Sequence, residues 1–155
     1  MLDTYQVEGL AYDPWRIDLL IRELDEIGIK SSREPGDGLW IVPHPQGFVA
    51  GAKPLKDEID EELLGLRLWM PRSIDYTEEV ILENQLSVKI NPCLRMAIAG
   101  MVVVADAANN RRPTKTKSLL RIDPGVSLVM SVGALLQART YGDYGSISSI
   151  SQVVL

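Results

Sequence analysis

Apolar residues recur at helical spacing in four stretches of the chain. Three of these stretches begin with an oxygen-bearing side chain followed by proline, at Asp13-Pro14, Asn91-Pro92 and Asp123-Pro124. The first residue of each pair can accept from the free amides of a helix, and proline suits the first helical position. The sequence therefore predicts helices over residues 13–28, 92–99 and from 123 onward. A fourth helix is predicted over residues 53–64.

Apolar runs and alternating patterns predict strands between these helices. Strands are expected over residues 39–42, 66–70 and 86–90. Residues 101–105 are apolar throughout, which is typical of a central strand covered on both faces, and residues 119–122 are its expected partner. The turn residues His44-Pro45-Gln46-Gly47 should reverse the chain and form a β-hairpin with residues 48–50.

Together these elements predict an α+β fold in a single compact domain over residues 1–145, with a mixed or antiparallel sheet and two to four helices. Residues 146–155 carry no charge and are expected to form an apolar C-terminal arm or a final strand. A neighbouring molecule or the protein's own sheet would cover the apolar side chains of this segment. They are Ile147, Ile150, Val153, Val154 and Leu155.

The composition is that of a globular protein of one domain. The chain has 155 residues, of which 46% are apolar and 24% are charged. Its one cysteine, Cys93, excludes an internal disulfide framework and is predicted to be a small buried hydrophobe. The longest apolar runs are shorter than the roughly 20 residues that span a bilayer, and the N-terminus does not resemble a secretory signal. We therefore expect a soluble protein without membrane contact, located in the cytoplasm or in a particle assembled there.

Charge is divided unevenly between the two halves of the chain. Residues 1–83 contain 18 acidic and 8 basic residues, whereas residues 84–155 contain 3 acidic and 8 basic residues. A net charge of −10 in the first part and +5 in the second favours contact between oppositely charged surfaces. Self-association, or association with other structural proteins, is therefore expected.

The chain carries no sequence motif that is typical of a catalytic, metal or cofactor site. His44 is the only histidine, and its position between two prolines predicts a solvent-facing turn residue rather than a catalytic base. The acidic run over residues 57–62 lacks the spacing of a calcium loop. It is predicted to be a helix surface, either solvated or in contact with a basic neighbour, through Asp57, Glu58, Glu61 and Glu62. We therefore predict no catalytic residue, no bound metal and no cofactor.

The densest cluster of positive charge lies in a predicted polar loop over residues 109–117. Arg111, Arg112, Lys115 and Lys117 fall within seven residues, among hydroxyl side chains. This pattern permits three interpretations: a solvated loop, a loop that docks on an acidic face such as residues 57–62, or a loop that contacts phosphates. No aromatic residue lies within the loop to stack on single-stranded bases.

These features favour a non-enzymatic structural protein, a subunit of a homo-oligomeric ring or shell. Small head–tail connector, tail-terminator and capsid-associated proteins of tailed viruses are similar in size and character, so a virion component fits this prediction. Two alternatives remain. One is a small enzyme whose site is assembled from scattered carboxylates, Arg139, and Tyr141 or Tyr144. The other is a nucleic-acid-associated module that uses the basic loop.

Overall fold

The computed structural model describes residues 7, 9–14, 17–32, 38–48, 68–89 and 91–142, with only the backbone of residues 139–142. These residues form an α+β fold, which confirms the predicted class. The described helices are α1 (Ile17–Glu26), α2 (Met70–Leu82), α3 (Pro92–Gly100) and α4 (Asp123–Gly142). The described strands are β1 (Gly9–Tyr12), β2 (Ser31–Ser32), β3 (Leu39–Pro43), β4 (Val102–Ala105) and β5 (Arg111–Thr114).

Strand β3 lies in the middle of a parallel sheet with the strand order β1-β3-β2. Gly9 pairs with Trp40 on one side of β3, and Ser31 pairs with Leu39 on the other. Helix α1 connects β1 to β2, because parallel strands need a crossover rather than a tight turn. Of the predicted hairpin with residues 48–50, Phe48 lies in a bend rather than a strand, and residues 49–50 lie outside the described residues.

Helix α4 is covered on most sides, as its apolar sequence predicted. Near its start, Val126, Val129 and Met130 pack with Met70 and Ile74 of α2. Further along, Leu128 and Val132 pack with Val80 of α2 and Leu94 of α3. Near its end, Ala138 packs with Trp40 and Val42 of β3. The core of the described structure is thus three apolar clusters arranged along one helix.

Gly133 allows α4 to cross α2 at close range. A Cβ atom at this position would lie 2.0 Å from the Oγ atom and 2.8 Å from the Cβ atom of Ser73. These distances are shorter than any ordinary contact, so the crossing requires a residue without a side chain. Ser73 itself is fully buried at this crossing.

The start of α3 and the end of α1 lie where the sequence predicted them. The burial of residues in these two helices differs from the prediction. The Asn91 side chain accepts from the backbone N–H groups of Cys93 and Leu94, at 2.9 and 3.2 Å, which confirms the predicted cap of α3. Gly28 has a φ angle of +78° just beyond α1, which confirms the predicted stop. Cys93 is exposed, so its predicted burial is wrong. Helix α1 has no buried residue among the parts of the chain described here, although one face is apolar.

Strands β4 and β5 form a separate antiparallel hairpin, with Val102 opposite Thr114 and Ala105 opposite Arg111. The partner of the apolar run is therefore the basic segment, and not residues 119–122 as predicted. Leu119 is 97% exposed. The expected central strand is also wrong, because β4 is largely exposed and its described pairing involves one neighbour.

Pro71 lies at the start of a helix and not at the end of a strand. The residues around it were expected to end a strand over 66–70, but Pro71 lies in the first turn of α2. Proline ends a strand and begins a helix for the same reason, since it lacks a backbone N–H and has a fixed φ. Residues 85–89 also form no strand; Leu86 and Val88 instead pack against the cluster formed by α2, α3 and α4. No described helix is both long enough and apolar enough to cross a membrane.

Candidate functional site

The four basic residues predicted to make contacts lie on β5 and on the turn that follows it. Arg111 and Arg112 are half-buried residues of the strand, and Lys115 and Lys117 are exposed residues of the turn. The segment is thus an ordered part of the hairpin rather than an open loop. Because neighbouring side chains of a strand point to opposite faces, Arg111 and Arg112 have different surroundings.

Arg111 faces helix α2, where two carboxylates balance its positive charge. One of its terminal nitrogens donates to Asp75 Oδ1 and to Glu78 Oε2, each at 2.6 Å. These hydrogen bonds raise the pKa of Arg111 and lower the pKa of Glu78. Arg111 therefore contacts an acidic face, as one of the three interpretations proposed, but this face is on α2.

Arg112 lies over an aromatic ring instead of a carboxylate. Its guanidinium carbon is 4.5 Å from the centroid of the Phe48 ring, within the range of a cation–π contact. Its Nε atom is buried and has no hydrogen-bond partner within the described structure. A buried donor without an acceptor costs about 1–3 kcal/mol. Arg112 therefore keeps its positive charge away from the α2 carboxylates, and its Nε–H group is a buried donor without a described acceptor.

A cleft of about 260 Å³ lies between β5 and the start of α4. One part of its wall is polar and carries two cations and two hydroxyl groups; these residues are Gln46, Arg112, Thr114, Lys115 and Thr116. The other part is apolar and is formed by Met70, Pro113, Ile122 and Val126. The cleft is smaller than the roughly 300–1,000 Å³ of most small-molecule pockets, and its wall places two cations beside an apolar surface.

Lys115 closes one side of this cleft through an ion pair at its rim. Its Nζ atom lies 2.5 Å from Asp123 Oδ1. The hydrogen bond from Lys115 lowers the pKa of Asp123. Both side chains are more than half exposed, at 68% and 60%, so the pair contributes little to stability and can exchange partners.

His44 is completely buried, which corrects its prediction as a solvent-facing turn residue. Its backbone N–H donates to the Tyr12 carbonyl at 2.8 Å, and its Nε2 atom lies 2.8 Å from Ser73 Oγ. Burial lowers the pKa of His44 to about 4, so the ring is neutral at pH 7. Turn residues usually face solvent, but the chain here passes between β1 and α2 instead of reversing at the surface.

The chain segment after β3 connects the sheet to the cleft. The Pro45 carbonyl accepts from the backbone N–H of Met70 at 3.0 Å, and Gln46 then lines the cleft. In parallel sheets, ligands bind beyond the carboxyl ends of the strands. Asp13 and His44 directly follow β1 and β3, and Ala11 of β1 packs against the apolar cluster that includes Ile122 and Val126. The cleft therefore lies beside the edge where such sheets place their sites.

The side chains of the remaining candidate residues lie outside the described structure. The predicted contact residues Asp57, Glu58, Glu61 and Glu62 lie outside the described residues, as do Ile147, Ile150, Val153, Val154 and Leu155. Arg139 and Tyr141, proposed for the alternative enzyme site, belong to the last turns of α4, and Tyr144 lies beyond them. Among the described residues, no group of three or more His, Cys, Asp or Glu side chains is placed to hold a metal ion.

Sequence reasoning missed the partners of the basic residues. Asp75 and Glu78 are three positions apart, so a helix over this segment would place them on one face. The signal was present, but no helix was predicted over this segment. Phe48 and Gln46 had no such signal, because their roles depend on where the chain goes after β3.

The chain is similar to part of a much larger phage protein. It matches no family model. It is 31% identical over 134 residues to the large terminase subunit of Enterobacteria phage HK97, a match that spans 86% of this chain and 21% of that protein. The crystal structure of the HK97 large terminase matches with a TM-score of 0.55 and 30% identity, over 81% of this chain and 21% of that one. The chain thus corresponds to about a fifth of the length of its relative.

These matches correct the predicted function. The expectation of a non-enzymatic subunit of a ring or shell is wrong, because the similar protein is a terminase, which is an enzyme. The two alternatives also fit this match poorly as functions, although contact with nucleic acid is compatible with it. The coarser expectation of a viral protein agrees with the match to a phage protein.

Proposed function

We propose that this chain forms one region of a phage terminase large subunit, the enzyme that acts as the ATPase and nuclease of DNA packaging. The observation that carries this proposal is that the sequence match and the fold match point to the same protein, at 31% and 30% identity. The proposed partner is DNA, together with the rest of the terminase. The proposed place of action is the cytoplasm or an assembling particle.

The cleft supports a role in contact with DNA. Arg112 and Lys115 line it, and Arg121 lies in the same part of the chain before α4. The chain as a whole has a net charge of −5, so general attraction to a polyanion is not expected. Any binding of DNA must therefore come from a local positive surface, and the hairpin with its turn is such a surface within the described structure.

A chimera tests the proposed function directly. The region of the HK97 large terminase that matches this chain is replaced by residues 1–142, and cleavage and packaging of DNA are measured beside the native enzyme. We expect both activities to be retained, because the inserted region shares the fold and about 30% of the residues of the region that it replaces.

The matched control for this chimera carries Gly133→Trp in the inserted region, which cannot keep the crossing of α4 and α2. This control should be inactive. A chimera that is folded and assembled, yet as inactive as its control, would contradict the proposed function.

A further inference from the structure

We infer that the cleft between β5 and α4 is a subsite for one phosphodiester of a polynucleotide backbone, with Arg112 as its main ligand and Lys115 as the second. The inference rests on the proposed function, which brings DNA to this region, and it deepens it by naming the residues and the group that they bind. Each step depends on the difference between the two faces of β5.

The first step is that Arg111 and Arg112 are equal in charge and unequal in surroundings. Arg111 donates to two carboxylates of α2 at 2.6 Å, so its charge is balanced within the chain. Arg112 faces the opposite side of the strand and contacts the ring of Phe48. An aromatic face orients a guanidinium without using its hydrogen-bond donors. Arg112 is therefore held in place by an aromatic ring, in a contact that uses none of its hydrogen-bond donors.

The second step is the buried Nε–H group of Arg112, which has no acceptor in the described structure. The guanidinium is planar, and its donors match the oxygens of a phosphate in pairs. The Nε–H group is shielded from solvent, so a phosphate oxygen reaches it only when the Arg112 side chain shifts on binding. Guanine also offers two acceptors, O6 and N7, so the assignment to a phosphate rests on the lysine and hydroxyl groups that line the cleft beside Arg112.

The third step concerns the other groups of the cleft. Lys115 lines it, and Thr114 and Thr116 add hydroxyl groups that hydrogen-bond to phosphate oxygens in nucleic-acid complexes. A bound phosphate would replace the Asp123 carboxylate as the partner of Lys115, an exchange that their exposure permits. The apolar wall near Ile122 and Val126 then adjoins the sugar of the same nucleotide.

The test compares two arginines in one strand. Arg112→Gln and Arg111→Gln remove the same charge from adjacent positions, and binding of a short labelled DNA duplex is measured by fluorescence anisotropy from about 50 to 200 mM salt. We expect Arg112→Gln to weaken binding about tenfold and to reduce the slope of log affinity against log salt by about 1. Arg111→Gln should weaken binding less than Arg112→Gln does, because Arg111 donates to two carboxylates of α2 and does not line the cleft.

Two results would overturn the inference while the proposed function stands. In one, the duplex binds to the unchanged chain and both variants lose affinity equally, which would indicate general attraction rather than a subsite. In the other, inorganic phosphate or a mononucleotide displaces the duplex at about micromolar concentration, which would assign the cleft to a free phosphate compound. A chain that binds no duplex would contradict both the inference and the DNA contact in the proposed function.

A second measurement needs no variant that could fail to fold. In the unchanged chain, the Nε–Hε resonance of Arg112 is followed by NMR as the duplex is added. We expect it to shift and its exchange with water to slow, while the Arg111 resonance stays unchanged. An unchanged Arg112 resonance at saturating duplex would also overturn the inference.

Discussion

Residues 40–42 of β3 and residues 102–104 of β4 are apolar runs of equal length in two different sheets. Trp40, Ile41 and Val42 are at most 6% exposed, whereas Val102 and Val103 are 36% and 43% exposed. Strand β3 is paired along both edges and is packed against α4, while β4 has a described strand partner on one edge only. The apolar content of a strand thus limits the surface that it can bury. The number of strands and helices packed against it determines the surface that it actually buries.

The close packing on the side of the parallel sheet can be tested at the crossing of α4 and α2. Gly133→Ala places a Cβ atom 2.0 Å from Ser73 Oγ, so the helices must move apart. We expect a loss of about 3 kcal/mol in the free energy of unfolding, measured by urea denaturation.

Gly125→Ala is the matched control in the same helix, on the side of α3. The nearest atom there to an added Cβ is Met101 Sδ at 3.5 Å, an ordinary contact. We expect this variant to be as stable as the unchanged chain or more stable by up to about 1 kcal/mol, since alanine favours a helix. Equal losses in the two variants would contradict the difference in packing between the two sides.

The buried edge of the parallel sheet should respond to pH. The pKa of His44 falls from its ordinary value of 6.5 to about 4 on folding, so the unfolded chain binds a proton first as the pH decreases. The stabilisation is complete above pH 6.5 and is lost as the pH falls toward 4. We expect the free energy of unfolding to be about 2 kcal/mol lower at pH 5 than at pH 7.5.

The single histidine makes this pH range specific, because most carboxylates titrate below pH 5. Chemical denaturation of His44→Gln provides the control, and its stability should be nearly constant between pH 5 and 7.5. A pH dependence that is the same in the variant and in the unchanged chain would show that another group is responsible.

The smallest expected effect compares one substitution in each strand. Val42→Ala removes buried methyl groups from β3 and should cost about 2 kcal/mol, including the cavity that remains. Val103→Ala in β4 should cost less than about 1 kcal/mol, because that side chain already contacts water. Thermal unfolding measures both. A similar loss at the two positions would mean that a part of the chain beyond the described residues covers β4.

Local signals predicted those elements whose ends are determined by a few neighbouring residues. The cap at Asn91, the stop at Gly28 and the long helix after Asp123 were all predicted from such signals. Sheet order was not predictable in the same way, because a parallel partner lies far away in sequence. The partner of β4 was misassigned because Arg111 and Arg112 looked like loop residues, although each has a contact that permits a strand.

The candidate site was predicted in part. The basic residues were identified from their density, and their strand alternation would have separated Arg111 from Arg112. The cleft could not be predicted, because its wall combines Gln46, Met70 and Ile122 with the basic segment. These residues are far apart in the sequence and meet only through tertiary packing, so their spacing does not predict the cleft.

The position of β3 between β1 and β2 has a consequence for the order of events during synthesis. Because the described pairing of β1 and β2 is with β3, none of these described hydrogen bonds between strands can form before residue 39 has left the ribosome. The hairpin of β4 and β5 joins residues at most 12 positions apart and can close as soon as it is made. The parallel sheet is instead completed when β3 pairs with β1 and β2. This step brings together residues that are far apart in the sequence, so it is slower than closure of the β4–β5 hairpin. Until then, Trp40, Ile41 and Val42 of β3, which are buried in the folded chain, remain exposed to solvent.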